Sequence, residues 1–223
     1  MQDSSEPGVV RRSKWLLTIV GLLIAFVVPE LGIGRHLFPH SNIPSSLGRE
    51  IVWWCIALAL IAYVLFVEKR PLRSVGFRKP TWKTFVFGLL GAAIAIMLFP
   101  LCFALIFPLL HLRPNTAAMN SILHTPWWFR LLLVGRAGFV EELLYRAYPI
   151  ERLRERTGSA TLAVIVSIAA FTYAHLAYWG AAHLIIVGLG AIVFALLYLW
   201  RRDFFCNVIA HFVSDAAGFL LSP

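Results

Sequence analysis

The chain has 223 residues, 60% of them hydrophobic and only 14% charged, with a mean hydropathy of +0.78. A water-soluble domain carries nearer a quarter charged residues, so this composition excludes an ordinary soluble protein and points to the bilayer. The net charge of +9 is no nucleic-acid footprint, because the basic residues gather at the ends of apolar runs and form no stripe.

At about 20 residues per helical crossing, apolar segments fall near 15–33, 50–67, 82–110, 126–150, 160–178, 181–200 and 204–221. The first follows Arg11, Arg12 and Lys14. It runs through WLLTIVGLLIAFVVPELGIG without a small-x-small cleavage site, so it reads as an uncleaved span and not a signal peptide. The third is too long for one upright helix, and Pro100 and Pro108 are expected to kink or end it. The fourth is the least hydrophobic, carrying Arg130, Arg136 and the stretch GFVEELLYRAY. No run shows the alternation of a transmembrane strand. The expected fold is an all-α polytopic bundle of about seven spans in a single membrane domain. Cys55, Cys102 and Cys206 have no metal-like spacing and are assigned to packing.

Lys and Arg alternate between loops. The amino-terminal tail holds three, the stretch EKRPLRSVGFRKPTWK six, ERLRERTG three and RRD two, against two, one and none in the intervening loops. By the positive-inside rule the amino terminus is cytosolic and the carboxyl terminus lies outside.

Few ionisable groups lie within the spans, where each costs several kcal/mol unless it pairs or lines a wet cavity. They are Glu141, Glu142 and Arg146 in the fourth, His175 in the fifth, and His211 and Asp215 in the seventh. Spacing of four allows Glu142 to pair with Arg146 and His211 with Asp215 on one helix face. Asn207 and Phe171 extend those faces by a turn and are assigned to the substrate cavity. Each feature alone admits a structural reading: a helix-clamping ion pair, a hydrogen-bonded core histidine, an interhelical polar clamp. Their coincidence on three helices favours a site. Glu30, His183 and Arg130 sit at span ends and keep the structural reading.

The chemistry open to this set is water activation by a carboxylate and a histidine, with a second histidine beside the developing oxyanion. No serine or cysteine is placed as a nucleophile, and HExxH is absent. No cofactor is expected; zinc, if bound, would take Glu141, His175 and His211.

EELLYR fits EExxxR, FTYAH fits FxxxH and HFVSD fits HxxxN/D, in order on late spans. Over roughly 126–221 the chain thereby resembles the CPBP (Abi) family of intramembrane proteases, which includes the type II CAAX prenyl endopeptidases. The resemblance implies a catalytic core at 126–223, with the tail and first three spans in 1–125. It implies a cavity open to the cytosol and an endopeptidase acting near the carboxyl end of a membrane-anchored substrate, prenylated or, as alternatives, a sorting or bacteriocin-type peptide. It gives Glu141 and His175 to water activation, Glu142 and Arg146 to their support, and His211 with Asp215 to the oxyanion. Helix geometry agrees that Arg146 neutralises Glu142, leaving Glu141 without such a partner as the base. Two departures stand out: Asp215 replaces the commoner asparagine, and Gly188, Ala191 and Ala195 stand where relatives carry FxxGxxxG.

Two other classes compete. A proton or ion transporter would use the cluster as a relay, but inverted repeats and paired broken helices are missing. A non-enzymatic adaptor would not need the intact polar set. For Glu142 and His175 to share one depth, residues near 153–163 are expected to extend the fifth helix back into the cytosol or the interface.

Overall fold

The computed structural model describes residues 7–221. Arg11 and Arg12, assigned to the basic tail, lie outside the residues whose side chains are described. Among the described residues all regular structure is helical. In chain order the elements are α1 (Pro7–Leu22), α2 (Ile33–Leu37), α3 (Ile43–Val67), α4 (Trp82–Leu109), α5 (Thr116–Leu123), α6 (Trp127–Arg136), α7 (Tyr148–Thr157), α8 (Ala160–Trp179), α9 (Leu184–Arg201) and α10 (Phe204–Phe219). Two π-helical turns, Ala137–Glu141 and Leu143–Ala147, join α6 to α7 without a break.

Four helices are long and apolar enough to cross a membrane (α3, α4, α8 and α9), or five if Lys14–Val27 and Pro29–Leu37, bent by 41°, form one crossing. Four or five candidates therefore stand against the seven expected crossings. The α6–α7 rod is long but carries too many charges, and α10, with 16 residues, reaches only about 24 Å. The outer faces of α3 and α4 expose Ile51, Leu58, Phe66, Leu89, Ile94 and Met97, the apolar surface that acyl chains cover. Pro100 does not end α4: the helix continues through a π-helical turn, Cys102–Ile106, that accommodates the missing N–H. Cys102 and Cys206 are buried, whereas Cys55 is exposed on the outer surface, so packing does not explain it.

The basic loops meet at one end. Arg152 donates to Glu68 through Nη2 at 2.6 Å and to the Ser74 hydroxyl at 3.0 Å. Arg202 pairs with Glu151, and Thr84 donates to Asp203 at 2.7 Å while Asp203 caps α10. At the opposite end Ser121 and Tyr178 share a hydrogen bond of 2.8 Å, and Arg130 donates to the Phe219 carbonyl at 3.0 Å.

Arg70 and Glu155 pair at the basic end with N–O distances of 2.5 and 2.8 Å. Burial pushes the Glu155 carboxyl up, but the Arg70 hydrogen bond, with Arg152 and Arg156 nearby, outweighs it and holds the group below its ordinary value. A carboxyl depressed in the folded state stabilises above its unfolded pKa, and that contribution is lost as pH falls through the folded value. Both side chains are about a third exposed, so Glu155→Gln should cost less than ~1 kcal/mol at neutral pH. The difference in melting temperature from the parent protein should shrink with salt and vanish in acid.

The fifth helix does not extend back to residue 153. Gly158, at φ 71°, turns the chain in the left-handed region, Ser159 caps the next helix through the Leu162 N–H, and α8 begins at Ala160. Residues 153–157 belong instead to α7, which carries the fourth helical segment past its expected end at 150. The depth problem is solved from that side: Glu142 precedes Thr157, and His175 follows Ala160, by the same interval, about 22 Å.

Gly138 sets how closely α10 approaches. A Cβ there would stand 3.2 Å from the Phe212 backbone nitrogen and Cβ. Gly138→Val should therefore wedge α10 away from the glutamates and destabilise the protein by ~1–3 kcal/mol, read as a lower melting temperature in detergent.

Candidate active site

The two π-helical turns decide which side chains share a face. In an α-helix residues five apart point about 140° away from each other. The i→i+5 pattern of a π turn nearly aligns them. Arg136 and Glu141 span such a turn and form an ion pair between Nη1 and Oε1. Arg136 is also held from α3: its Nε donates to Glu50 Oε2 at 2.9 Å, and its guanidinium lies 5.2 Å from the Trp53 ring centroid.

Glu142 is fully buried and held by three groups. His211 Nδ1 lies 2.8 Å from Oε1, Asn207 Nδ2 donates to Oε2 at 2.9 Å, and Arg146 Nη1 stands 3.2 Å from Oε1. The Arg146 guanidinium, also fully buried, lies 3.7 Å from the Phe171 ring centroid and 5.6 Å from that of Phe194. These ring faces and Glu142 balance a charge whose nitrogens make no hydrogen bond among the described residues. The phenylalanine of FxxxH thus supports the arginine of EExxxR.

The second oxygen of Glu141, Oε2, faces two histidines: His175 Nε2 at 3.8 Å and His211 Nε2 at 4.0 Å. A carbonyl only accepts, so the 2.8 Å contact between His175 Nδ1 and the Phe171 carbonyl assigns the proton to Nδ1. The lone pair of neutral His175 is then on Nε2, toward Glu141. Glu142 likewise accepts the Nδ1 proton of His211, whose ring stacks on Phe194 with centroids 4.8 Å apart. A further proton on His211 Nε2 faces the carboxylates of Glu141 and Asp215, the latter 3.5 Å away.

Several expectations change. Glu141 is not without a cation, because Arg136 holds one of its oxygens. Glu142, across the helix interface, orients His211 more closely than Asp215 does from its own helix. Asn207 is fully buried beneath Glu142, and Phe171 is buried beneath Arg146 and His175. Leu143 through Ile150 are all buried, which closes the cluster toward the basic loops. The exposed edge is formed by His175 and Asp215, 21% and 24% exposed, next to Trp179 and Phe219. This edge lies toward the end where Ser121 and Tyr178 meet, away from the basic loops.

The sequence reading missed Arg136 and Glu50 as partners of the site. The apolar segment drawn from 50 begins at Glu50, but Asn42 caps α3 and starts it at Ile43, carrying the carboxylate into the bundle. A carboxylate seven residues inside an apolar helix demands a cation, and that demand was the available signal. Zinc fits the donor set poorly: tetrahedral ligands at about 2.1 Å stand only roughly 3.4 Å apart. Among the described residues no three His, Cys, Asp or Glu side chains form a metal-ready group.

No curated protein and no solved structure matches the chain. Residues 123–217 match the family model described as Type II CAAX prenyl endopeptidase Rce1-like, and this segment contains the whole cluster except Glu50 and Trp53. With its apolar spans the protein is an integral membrane protein, and its residues 123–217 are similar to the Rce1-like type II CAAX prenyl endopeptidases, a match consistent with the CPBP resemblance.

Proposed function

We propose that the protein is an intramembrane endopeptidase that hydrolyses a peptide bond near the carboxyl end of a membrane-anchored, CAAX-type substrate, with Glu141 as general base. The observation that carries this reading is the gap at Glu141 Oε2. Its distances of 3.8 and 4.0 Å to the two histidine Nε2 atoms are too long for direct hydrogen bonds and suit one bridging water.

In this reading the water lies between Glu141 Oε2 and His175 Nε2. Glu141 takes one proton as the water oxygen attacks the scissile carbonyl carbon, and His175 accepts a hydrogen bond from the other. The carbonyl oxygen becomes an oxyanion facing His211, whose Nε2–H donates to it when the ring carries both protons. Glu142 orients that ring, and Asp215 serves as counter-charge, which removes the need for Asp215 to donate. Collapse of the intermediate breaks the C–N bond, and the proton on Glu141 passes to the leaving amine.

The topology belongs to the same proposal. Seven crossings, with the ends bearing Glu68, Arg152 and Arg202 in the cytosol, are supported by the convergence of three basic loops at one end. The test uses purified full-length protein in detergent with a prenylated CAAX peptide and an unmodified membrane peptide, each with and without chelator. Cleavage of the prenylated peptide that persists in chelator is the expected result. Cleavage of the unmodified peptide alone would move the substrate class to sorting or bacteriocin-type peptides, and cleavage of neither would remove the protease reading.

A further inference from the structure

The hydrogen bonds around Arg136 extend the site beyond the matched segment. Arg136 touches no position where substrate would react. It binds the one oxygen of Glu141 that does not face the histidines, and its own orientation is fixed twice from α3, by the Glu50 carboxylate and the Trp53 ring. Both Arg136 and Glu50 are 13% exposed, so water competes little for these contacts. Neither belongs to EExxxR, FxxxH or HxxxN/D, and Glu50 lies outside residues 123–217.

We infer that Arg136 and Glu50 form a positioning pair that holds the Glu141 carboxylate with Oε1 engaged and Oε2 presented to the water, an inference that rests on Glu141 acting as the base. A carboxylate anchored at one oxygen cannot rotate about its terminal torsion, which is otherwise broad and nearly two-fold. Fixing that rotation keeps the proton-accepting lone pair on the line between His175 and His211. The pair acts on the reacting geometry alone, so its loss should lower kcat and leave KM nearly unchanged. The first three spans then contribute to chemistry as well as to the scaffold, through α3.

The test compares Arg136→Ala, Arg136→Lys, Glu50→Ala and Glu50→Gln with the parent, in the full-length protein, by steady-state and single-turnover cleavage of whichever peptide the parent cleaves. Arg136→Ala should lose about 10²-fold in kcat with KM within about twofold, and added guanidinium should restore at least about tenfold. Glu50→Gln, which still accepts from Arg136 Nε, should retain most of the rate that Glu50→Ala loses. In a Glu141→Gln background, Arg136→Ala should produce no further loss. A second readout needs no substrate: the drop in melting temperature caused by Arg136→Ala should be smaller when Glu141 is already glutamine, because one stranded carboxylate has been removed. Full activity in Arg136→Ala while Glu141→Gln is inactive would overturn the inference and leave the protease reading standing. Full activity in both would overturn both. Additive melting-temperature changes would remove the pairing itself.

Discussion

Glu141→Gln is expected to lower single-turnover cleavage by at least ~10²–10⁴-fold with the melting temperature in detergent nearly unchanged. Glutamine preserves the shape of the side chain, and its carbonyl oxygen can still accept from Arg136 Nη1, so the helix and the contact to α3 survive. What is lost is the lone pair at Oε2 that takes the water proton, 3.8 Å from His175. The comparison with Glu142→Gln is decisive about roles. Should Glu141→Gln turn over normally while Glu142→Gln is folded and dead, the base and its support have been exchanged. Should both turn over normally, the cluster is no protease site and a relay or clamp is the better account.

Arg146→Met is expected to destabilise the protein by about 3–5 kcal/mol, because it leaves Glu142 as an uncompensated buried carboxylate. Both groups are fully buried, and the ring faces of Phe171 and Phe194 cannot replace the missing charge. Adding Glu142→Gln removes the stranded charge and should recover most of that stability. It should not recover activity. Glutamine at 142 still accepts from His211 Nδ1, but it no longer supplies the negative charge that favours a proton on Nε2, so turnover should remain at least ~10-fold down. Thermal unfolding and single-turnover rates of the single and double variants separate the two effects. A double variant as unstable as Arg146→Met alone would mean that the charge is balanced elsewhere.

The legible part of this molecule was the part governed by cost. An ionisable side chain in an apolar run is conspicuous in one dimension, so Glu141, Glu142, Arg146, His175, His211 and Asp215 could be singled out by residue type alone. Their convergence, with Glu141 within 4.0 Å of both histidines, is a three-dimensional fact that the spacing did not contain. The illegible part followed from assuming an α-helical period throughout. That period pairs Glu142 with Arg146, which the structure keeps at 3.2 Å, but it separates Arg136 from Glu141. It also pairs His211 with Asp215, where the closer partner of His211 is Glu142 on another helix. Helix ends were a second source of error. Ending the fourth apolar segment at 150 ignored that Glu151 and Arg152 find partners in Arg202 and Glu68 and continue as helix to Thr157. Charge marked the end of apolarity, not the end of the helix.

The wide turn between Ala137 and Glu141 also bears on how the chain can vary. Each π turn holds one residue more than the α turn it replaces. Point substitutions inside it leave that extra residue in place. Were the turn to relax to α-helical winding with every residue kept, Arg136 and Glu141 would stand about 140° apart, and the link from α3 to the glutamate would be gone. A one-residue deletion with α-helical winding instead leaves the two four residues apart, about 40° from each other and still on one face. A homologue carrying such a deletion would still spell all three motifs, and its arginine could still reach the glutamate. The match between the winding of this turn and the number of residues in it, more than its composition, is therefore what lineages sharing this site must hold constant.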